Sequence, residues 1–144
     1  MKIIITGGSG FIGSHLTDVL ISQGHDVLIY DLENPRFGQH CKSVKADVND
    51  LKLLVEVSKG YDFIYHLAAE ANVNYFFNSP ILSNHKTSTS TLNVLECAKI
   101  NNIRRVLLAS TEWIYGSVEG NEDEFITEET PYAQSPDHLY TSSK

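Results

Sequence analysis

Cysteine and basic residues are scarce in this sequence, and long hydrophobic runs are absent. The two cysteines, Cys41 and Cys97, lie far apart in 144 residues, which predicts reduced thiols in a cytoplasmic protein and excludes a disulfide-stapled scaffold. Lys and Arg number 11 against 18 Asp and Glu, and the net charge of −7 argues against nucleic acid and anionic membranes as partners. No apolar run is long enough to span a bilayer.

The sequence also lacks two patterns that would indicate other classes of protein. Its His and Cys residues do not have the spacing of metal ligands, so we expect no metal site. Its first residues do not have the shape of a signal peptide. The length is that of one domain with a substantial core.

A glycine-rich turn, residues 6–13 with the sequence TGGSGFIG, follows the apolar residues 3–5. Gly7 is predicted to make the tight turn off a strand, where a side chain would clash. Gly10 is predicted to let backbone N–H groups approach phosphate oxygens, and Gly13 to let the next helix pack against the strand. A strand that ends in this spacing is typical of a site for a dinucleotide pyrophosphate.

The helix that this turn opens begins at Phe11 and Ile12, and its N-terminal N–H groups and dipole favour a bound anion. Asp31 ends the next apolar run, residues 27–30. A carboxylate at that place can accept both hydroxyls of an adenine ribose, which favours NAD over the 2′-phosphate of NADP. The alternative is an ordinary tight turn beside an aspartate that binds no ligand.

Apolar segments alternate with helical patterns along the chain. Strands are predicted at residues 2–6, 26–31, 43–46, 63–66 and 105–110. Helices are predicted at 11–23, 50–59 and 80–101, the last despite the poor helix propensity of the segment TSTST at 87–91. The alternation implies parallel βαβ units, and therefore an α/β fold with a doubly wound parallel sheet. Residues 117–138 are predicted to form an acidic loop.

Five further motifs follow the glycine turn: Asp47-Val48, His66-Leu67-Ala68-Ala69, TLNVLE at 91–96, STEWIYG at 110–116, and Tyr140 with Lys144 in the spacing Y-x-x-x-K. With the glycine turn, they resemble the NAD-dependent nucleotide-sugar epimerase/dehydratase branch of the extended short-chain dehydrogenase/reductase family, and are similar to those of UDP-glucose 4-epimerases. The resemblance covers essentially the whole chain. It implies a Rossmann fold, NAD as cofactor and a nucleotide sugar as substrate.

The resemblance assigns cofactor contacts to residues at several strand ends. It implies that Asp47 and Val48 touch the adenine, and that the backbone of Leu67, Ala68 and Ala69 lines the cofactor. The complete implied cofactor set is Gly7, Gly10, Phe11, Ile12, Gly13, Asp31, Asp47, Val48, Leu67, Ala68, Ala69, Thr87, Tyr140 and Lys144.

Tyr140 and Lys144 have the spacing of two residues on one face of a helix, although this spacing alone is common by chance. A nearby ammonium favours the phenolate form of a tyrosine, which can take a proton from a sugar hydroxyl while hydride leaves the same carbon for nicotinamide. The resemblance implies this catalytic role for Tyr140, with support from Lys144, and implies that Thr111 positions the hydroxyl. His66 is predicted to pack and hydrogen-bond at its strand end rather than to ionise.

Several positions depart from the family pattern. Thr87 replaces an asparagine that touches the cofactor and Ser90 replaces a glycine, which predicts weakened NAD binding. Trp113 stands where dehydratases and decarboxylases usually have an acidic residue, and Glu112 comes one place early. Because elimination needs an acid/base pair beside the sugar, epimerisation is favoured. A dehydratase or decarboxylase of the same family, and a non-catalytic dinucleotide-binding module, remain the alternatives.

Family members continue beyond the Y-x-x-x-K helix with further strands and a substrate domain. We therefore expect residues 1–144 to be the amino-terminal NAD-binding domain only, truncated within that helix. The isolated chain is expected to bind NAD weakly, to turn over no nucleotide sugar and to be a monomer or weak dimer, although full-length members are commonly homodimers. The acidic residues expected in a solvated loop are Glu112, Glu119, Glu122, Asp123, Glu124, Glu128, Glu129 and Asp137.

Overall fold

Residues 1–35, 41–115, 125–136 and 138–144 are described by a computed structural model of the chain. Their strands are β1 (Lys2–Thr6), β2 (Asp26–Asp31), β3 (Lys42–Lys45), β4 (Phe63–His66) and β5 (Arg105–Leu108). These strands form a parallel sheet in the order β3-β2-β1-β4-β5. The predicted α/β fold with a parallel sheet is confirmed, and each strand lies within two residues of its predicted bounds.

The described helices are α1 (Phe11–Ser22), α2 (Leu51–Val57), α3 (Val73–Asn78), α4 (Pro80–Asn84), α5 (Ser90–Ile100) and α6 (Leu139–Ser142). A π-helical turn (His85–Thr89) joins α4 to α5, and a 3₁₀ turn occupies Glu112–Tyr115. The predicted helices at 11–23 and 50–59 are confirmed, and the segment 80–101 is helical apart from its last residue.

Helix α3 is not indicated by the sequence pattern. It begins where the side chain of Asn72 accepts a hydrogen bond from the Asn74 N–H at 2.9 Å, and it buries Phe76. A single buried ring in a helix of 6 residues gives no clear periodicity, so the pattern is too short to reveal this helix.

Helices cover both faces of the sheet, which makes the fold doubly wound. On one face, Ile4 and Ile64 pack with Leu54 of α2 and Val94 of α5, all fully buried. On the other face, Ile3, Ile5 and Val27 pack with Leu20 of α1. Alternate residues of one strand therefore enter two different cores, and each fully buried aliphatic side chain stabilises the fold by about 1.5–3 kcal/mol.

Hydroxyl side chains satisfy carbonyl groups in the π-helical turn. Ser90 Oγ lies 2.9 Å from the carbonyl oxygens of both Lys86 and Thr87, and Thr91 Oγ1 donates to the Thr87 carbonyl at 2.8 Å. A π turn lacks the usual i to i+4 backbone bonds, so hydroxyls that bond to carbonyls one turn earlier favour it. The segment of poor helix propensity thus forms the part of the helix that departs from α geometry.

Both cysteines are free thiols. Burial raises the pKa of the Cys97 thiol, whose Sγ lies 3.0 Å from Ser58 Oγ inside the core. Cys41 is half-buried, and burial raises the pKa of its thiol as well.

The predicted acidic loop lies partly outside the described residues. Positions 116–124 and 137, with Glu119, Glu122, Asp123, Glu124 and Asp137, are not described, whereas 125–136 contains no helix or strand. Lys144 lies two residues after Ser142, the last residue of α6. Among the described residues, no helix is both long and apolar enough to cross a membrane.

Candidate cofactor and catalytic site

A cavity of about 500 Å³ opens at the carboxyl ends of the strands. From β1 the chain adds β2 and β3 on one side of the sheet, and it then adds β4 and β5 on the other side. The strand order therefore reverses between β1 and β4. Open parallel sheets bind their ligands at the carboxyl ends of the strands at such a point. The cavity is lined by Gly7, Ser9, Gly10, Phe11, Asp31, Leu32, Glu33, Ala46, Asp47, Val48, Asn49, Leu67, Ala68, Ala69, Glu70, Lys86 and Ser90.

Two glycines of the turn, Gly7 and Gly13, are required by close backbone contacts. Gly7 has a φ of +73°, and a Cβ there would lie 2.7 Å from the Ala68 backbone nitrogen. A Cβ at Gly13 would lie 2.6 Å from Gly8 Cα and would also clash with the Gly7 carbonyl oxygen. At Gly10 a Cβ would meet only the Gly7 carbonyl oxygen, at 3.3 Å. Gly7 therefore allows the turn to approach β4, and Gly13 allows α1 to start against the turn.

The N-terminus of α1 has free hydrogen-bond donors at the edge of the cavity. Gly10 is the N-cap and offers no side chain. Its carbonyl accepts from the Ser14 N–H at 2.9 Å, so Ser14 is the first residue of α1 with a described backbone acceptor for its N–H. The N–H groups of Phe11, Ile12 and Gly13 have no acceptor among the described residues. N–H donors without a partner at the positive end of a helix suit the binding of a pyrophosphate. The side chain of Ile12 is exposed to solvent.

Asp31 is held at the end of β2 by two backbone donors. Its Oδ2 accepts from the Ser9 N–H at 2.9 Å, and its Oδ1 accepts from the Glu33 N–H at 3.0 Å. A carboxylate has about four acceptor sites, so both oxygens can still accept a ribose hydroxyl. The glycine turn thus orients the carboxylate that the sequence assigns to the ribose.

Asp47 and Val48 line the cavity directly after β3. Val48 is buried, and the Asp47 Oδ1 accepts from the Asn49 N–H at 2.8 Å. The Asp47 carbonyl accepts from the Tyr30 hydroxyl at 3.1 Å, and burial raises the pKa of Tyr30 to about 12. An apolar wall beside polar groups suits a flat heterocycle such as adenine.

Thr87 is buried beneath the cavity wall. Its hydroxyl accepts from the Glu70 N–H at 3.1 Å, and its side chain is 2% exposed. On this helical segment Lys86 and Ser90, rather than Thr87, line the cavity. The predicted contact of Thr87 with the cofactor stays a prediction, and its observed contact holds the loop after Ala69.

His66 is fixed at the end of β4 by two threonines. Its Nδ1 lies 2.6 Å from Thr6 Oγ1 and its Nε2 lies 3.2 Å from Thr91 Oγ1. Burial, and to a lesser extent the positive charge of Lys144, lower the pKa of His66 from 6.5 to about 4. His66 is therefore a neutral packing residue at pH 7, in agreement with its predicted role.

The lowered pKa of His66 predicts a loss of stability in mild acid. The unfolded chain binds a proton near pH 6.5 but the folded chain only near pH 4, so stability is full above about 6.5 and falls as the pH drops toward 4. We expect the free energy of unfolding to fall by about 2 kcal/mol between pH 7 and pH 5 through His66. Urea unfolding at both pH values should show this fall in the wild type and not in His66→Gln.

The control for this measurement is His15→Gln, on the exposed surface of α1. It should retain the full pH dependence. An equal loss of stability in the wild type and in His66→Gln would contradict the assignment of the effect to His66.

Tyr140 and Lys144 lie together beside the end of β5. The Tyr140 ring packs edge-on against Phe76 and Trp113, with centroid distances of 5.6 and 5.7 Å. Lys144 Nζ lies 5.9 Å from the Tyr140 ring centroid and donates to the Ala109 carbonyl at 3.4 Å. Burial lowers the pKa of the Lys144 ammonium. The predicted pair is therefore brought together, even though Lys144 lies past the last helical residue of α6.

Thr111 lies in the same region, two residues after Ala109. Its hydroxyl oxygen accepts from the Trp113 N–H at 3.4 Å and lies 3.5 Å from Glu112 Oε2. Both contacts are long, so the Thr111 hydroxyl is free to turn toward a substrate. The three predicted catalytic residues thus lie together after β5. None of them lines the cavity, so the predicted contacts of Tyr140 and Lys144 with the cofactor stay predictions.

The sequence did not indicate the roles of Ser9, Glu70 and Lys86. Ser9 lies within the glycine motif, where its backbone N–H orients Asp31. Glu70 follows the motif His66–Ala69, and its Oε2 lies 3.7 Å from Lys86 Nζ. The sequence carries no signal for this last pairing, because it joins two different segments, the loop after β4 and the π-helical turn.

A doubly wound parallel sheet with a glycine turn, an uncapped helix N-terminus and a carboxylate at the end of the second strand defines a dinucleotide-binding domain. The model of the NAD dependent epimerase/dehydratase family matches residues 3–144. The chain belongs to this family, whose members use NAD.

Similar proteins include enzymes of different specificity. UDP-glucuronic acid decarboxylase 1 of Danio rerio is 40% identical over 135 residues, which cover 85% of this chain and 31% of the relative. A putative UDP-glucose 4-epimerase of Methanocaldococcus jannaschii is 32% identical and covers 76% and 37% of the two chains. The Thermus thermophilus UDP-glucose 4-epimerase, solved with NAD, superposes with a TM-score of 0.88 at 28% identity, covering 100% of this chain and 47% of that one. The chain therefore spans less than half the length of these proteins.

Proposed function

We propose that this chain is the cofactor-binding part of a cytoplasmic, NAD-dependent nucleotide-sugar 4-epimerase. The cavity would hold NAD, with the pyrophosphate at Gly10 and the free N–H groups of α1, the ribose at Asp31, and the adenine beside Val48. When bound, NAD supplies a group that takes a hydride from a substrate carbon and returns it. Similar proteins solved with UDP-glucose and with UDP-glucuronic acid support a nucleotide sugar as substrate.

The position of Trp113 is the main reason for proposing an epimerase. Its indole packs against Tyr140 and lies 5.2 Å, between ring centroids, from the His138 ring. Dehydration and decarboxylation call for an acid/base group beside the sugar, whereas Trp113 presents an aromatic surface next to the proposed base. Glu112 is exposed. An oxidation followed by a reduction needs only one base, and Tyr140 can serve both steps.

The proposed chemistry uses three side chains of this chain. Tyr140 Oη takes the proton of the sugar hydroxyl in the forward step and returns it in the second step. The Lys144 ammonium stabilises the negative phenolate, and its partly buried position strengthens that interaction. Thr111 donates a hydrogen bond to the reacting oxygen and holds it close to Tyr140.

A nucleotide-sugar decarboxylase is the second candidate, because the relative from Danio rerio at 40% identity is a UDP-glucuronic acid decarboxylase. The two candidates use the same cofactor and the same base but differ in product. A decarboxylase releases CO₂ and leaves a pentose nucleotide, whereas an epimerase inverts one carbon and releases nothing.

To test this proposal, the complete protein encoded by the gene is incubated with NAD and a panel of nucleotide sugars. The panel contains UDP-glucose, UDP-N-acetylglucosamine and UDP-glucuronic acid, and proton NMR identifies the products. We expect the 4-epimer of at least one sugar and no release of CO₂. Release of CO₂ from UDP-glucuronic acid would contradict the epimerase and favour the decarboxylase.

Exposed apolar residues on α5 support a homodimer of the complete protein. Leu92 and Leu95 are 65% and 49% exposed on this helix. Paired α5 helices of two subunits would bury them, in keeping with the dimers that the resemblance implies.

A further inference from the structure

The charged side chains of the cavity are unequal in sign. Among the described residues that line it, four are carboxylates and one is an ammonium: Asp31, Glu33, Asp47 and Glu70 against Lys86. A pyrophosphate adds negative charge to a wall that is already negative, and the free N–H groups of α1 carry only partial charges. We propose that Lys86 is a pyrophosphate-binding residue, which acts together with the N-terminus of α1. This inference rests on the proposed placement of NAD in the cavity.

The ammonium of Lys86 is oriented by an ion pair with Glu70, and this pair is too long to use the ammonium's hydrogen-bond donors. Its Nζ lies 3.7 Å from Glu70 Oε2, which is beyond hydrogen-bond distance. Glu70 is itself fixed, because its Oε1 accepts from the Asn72 N–H at 3.1 Å and its side chain is 14% exposed. The Lys86 side chain is 44% exposed. Glu70 therefore holds the ammonium at the cavity wall while all three N–H groups stay available to phosphate oxygens.

The backbone that carries Lys86 is held on both sides. The Lys86 carbonyl accepts from Ser90 Oγ at 2.9 Å, and Ser90 also lines the cavity. The next residue, Thr87, is tied through its hydroxyl to the Glu70 backbone. The π-helical turn and the loop after β4 thus form one hydrogen-bonded unit, and it presents Lys86 to the same cavity that the glycine turn lines.

A purely structural ion pair is the alternative role for Lys86. Exposed ion pairs contribute little to stability, and this one would then have no effect on ligands that carry phosphate. The two roles differ in which part of a ligand responds to the loss of the charge. A pyrophosphate-binding Lys86 affects ADP and NAD but not adenosine.

The test measures the affinities of adenosine, ADP and NAD by calorimetric titration of the full chain. In Lys86→Met, which keeps most of the stem, we expect ADP and NAD to bind about tenfold more weakly and adenosine within about twofold of the wild type. The matched control is Lys42→Met, because Lys42 Nζ lies 3.5 Å from the Asp26 carboxylate in another exposed pair that does not line the cavity. Lys42→Met should leave all three affinities unchanged.

A further variant separates failure of this inference from failure of the cavity assignment. Asp31→Asn should weaken adenosine, ADP and NAD alike, because it acts on the ribose. Suppose that Asp31→Asn does so. If Lys86→Met then leaves the affinity for ADP unchanged, or lowers the affinity for adenosine as much as that for ADP, the proposed role of Lys86 is wrong and the assignment of the cavity to NAD stands. If Asp31→Asn changes none of the affinities, both the cavity assignment and the role of Lys86 are overturned.

Discussion

Replacing Tyr140 with Phe should lower the turnover number of the complete protein about a thousandfold or more. The change removes only the hydroxyl that takes and returns the substrate proton, and general acid–base groups of this kind contribute about 10²–10⁴ in rate. The ring contacts with Phe76 and Trp113 do not use the hydroxyl, so the variant should fold normally. NAD affinity should change by no more than a few-fold, which is the effect of one lost hydrogen bond.

The matched control for this experiment is Tyr75→Phe on α3, where the ring is 54% exposed. It loses the same hydroxyl from a residue that has no proposed part in proton transfer, and it should retain wild-type turnover. A discontinuous assay of product with the best sugar of the panel gives both rates. Turnover by Tyr140→Phe above about a tenth of the wild-type value would show that another group is the base.

The substitution Gly13→Ala should destabilise the fold and abolish cofactor binding together. Its Cβ would lie 2.6 Å from Gly8 Cα, and these backbone atoms cannot move aside unless α1 moves away from the turn. We expect the free energy of unfolding to fall by about 3 kcal/mol, as for overpacking at a rigid site. Displacement of the free N–H groups of α1 should weaken NAD binding by more than about a hundredfold.

Two other glycines provide controls for this change. Gly24 has a φ of +78°, and a Cβ there would have no atom within 4 Å. Gly24→Ala should therefore lower the free energy of unfolding by about 1–2 kcal/mol through backbone strain alone and leave NAD affinity unchanged. Gly10→Ala meets only one oxygen at 3.3 Å and should have a smaller effect on stability than Gly13→Ala. Denaturant unfolding and calorimetric titration measure the three variants. A Gly13→Ala chain that binds NAD as tightly as Gly24→Ala does would contradict the packing role.

The strands and the glycine turn could be predicted because their signals are local. Residues 3–5 and 27–30 are continuous apolar runs, as expected for central strands buried on both faces, and the two cores confirm that they are. Gly7 and Gly13 stand where backbone crowding leaves no room for a side chain, and such positions can be read from spacing. The end of β5 was predicted less accurately, at residue 110 instead of Leu108. This strand has only four residues, and in the described sheet it pairs with β4 alone.

The π-helical turn and its consequences could not be predicted, because they depend on contacts between distant segments. The pattern at 80–101 is that of one α-helix, and only the hydroxyl contacts of Ser90 and Thr91 show why it departs from α geometry. In this segment Thr87 is buried and Lys86 lines the cavity. Likewise, the proximity of Tyr140 and Lys144 to the end of β5 followed from the family resemblance and not from the local sequence.

The central position of β1 has a consequence for folding during synthesis. β1 is made before both of its neighbours, and one of them, β4, follows roughly 60 residues later. At about 5–20 residues per second the ribosome needs about 3–12 s to make that stretch. Throughout this interval one edge of β1 has no partner, and Ala68, against which Gly7 packs, does not yet exist. The glycine turn thus leaves the ribosome well before Ala68 does, and it can take its final shape only after Ala68 has emerged.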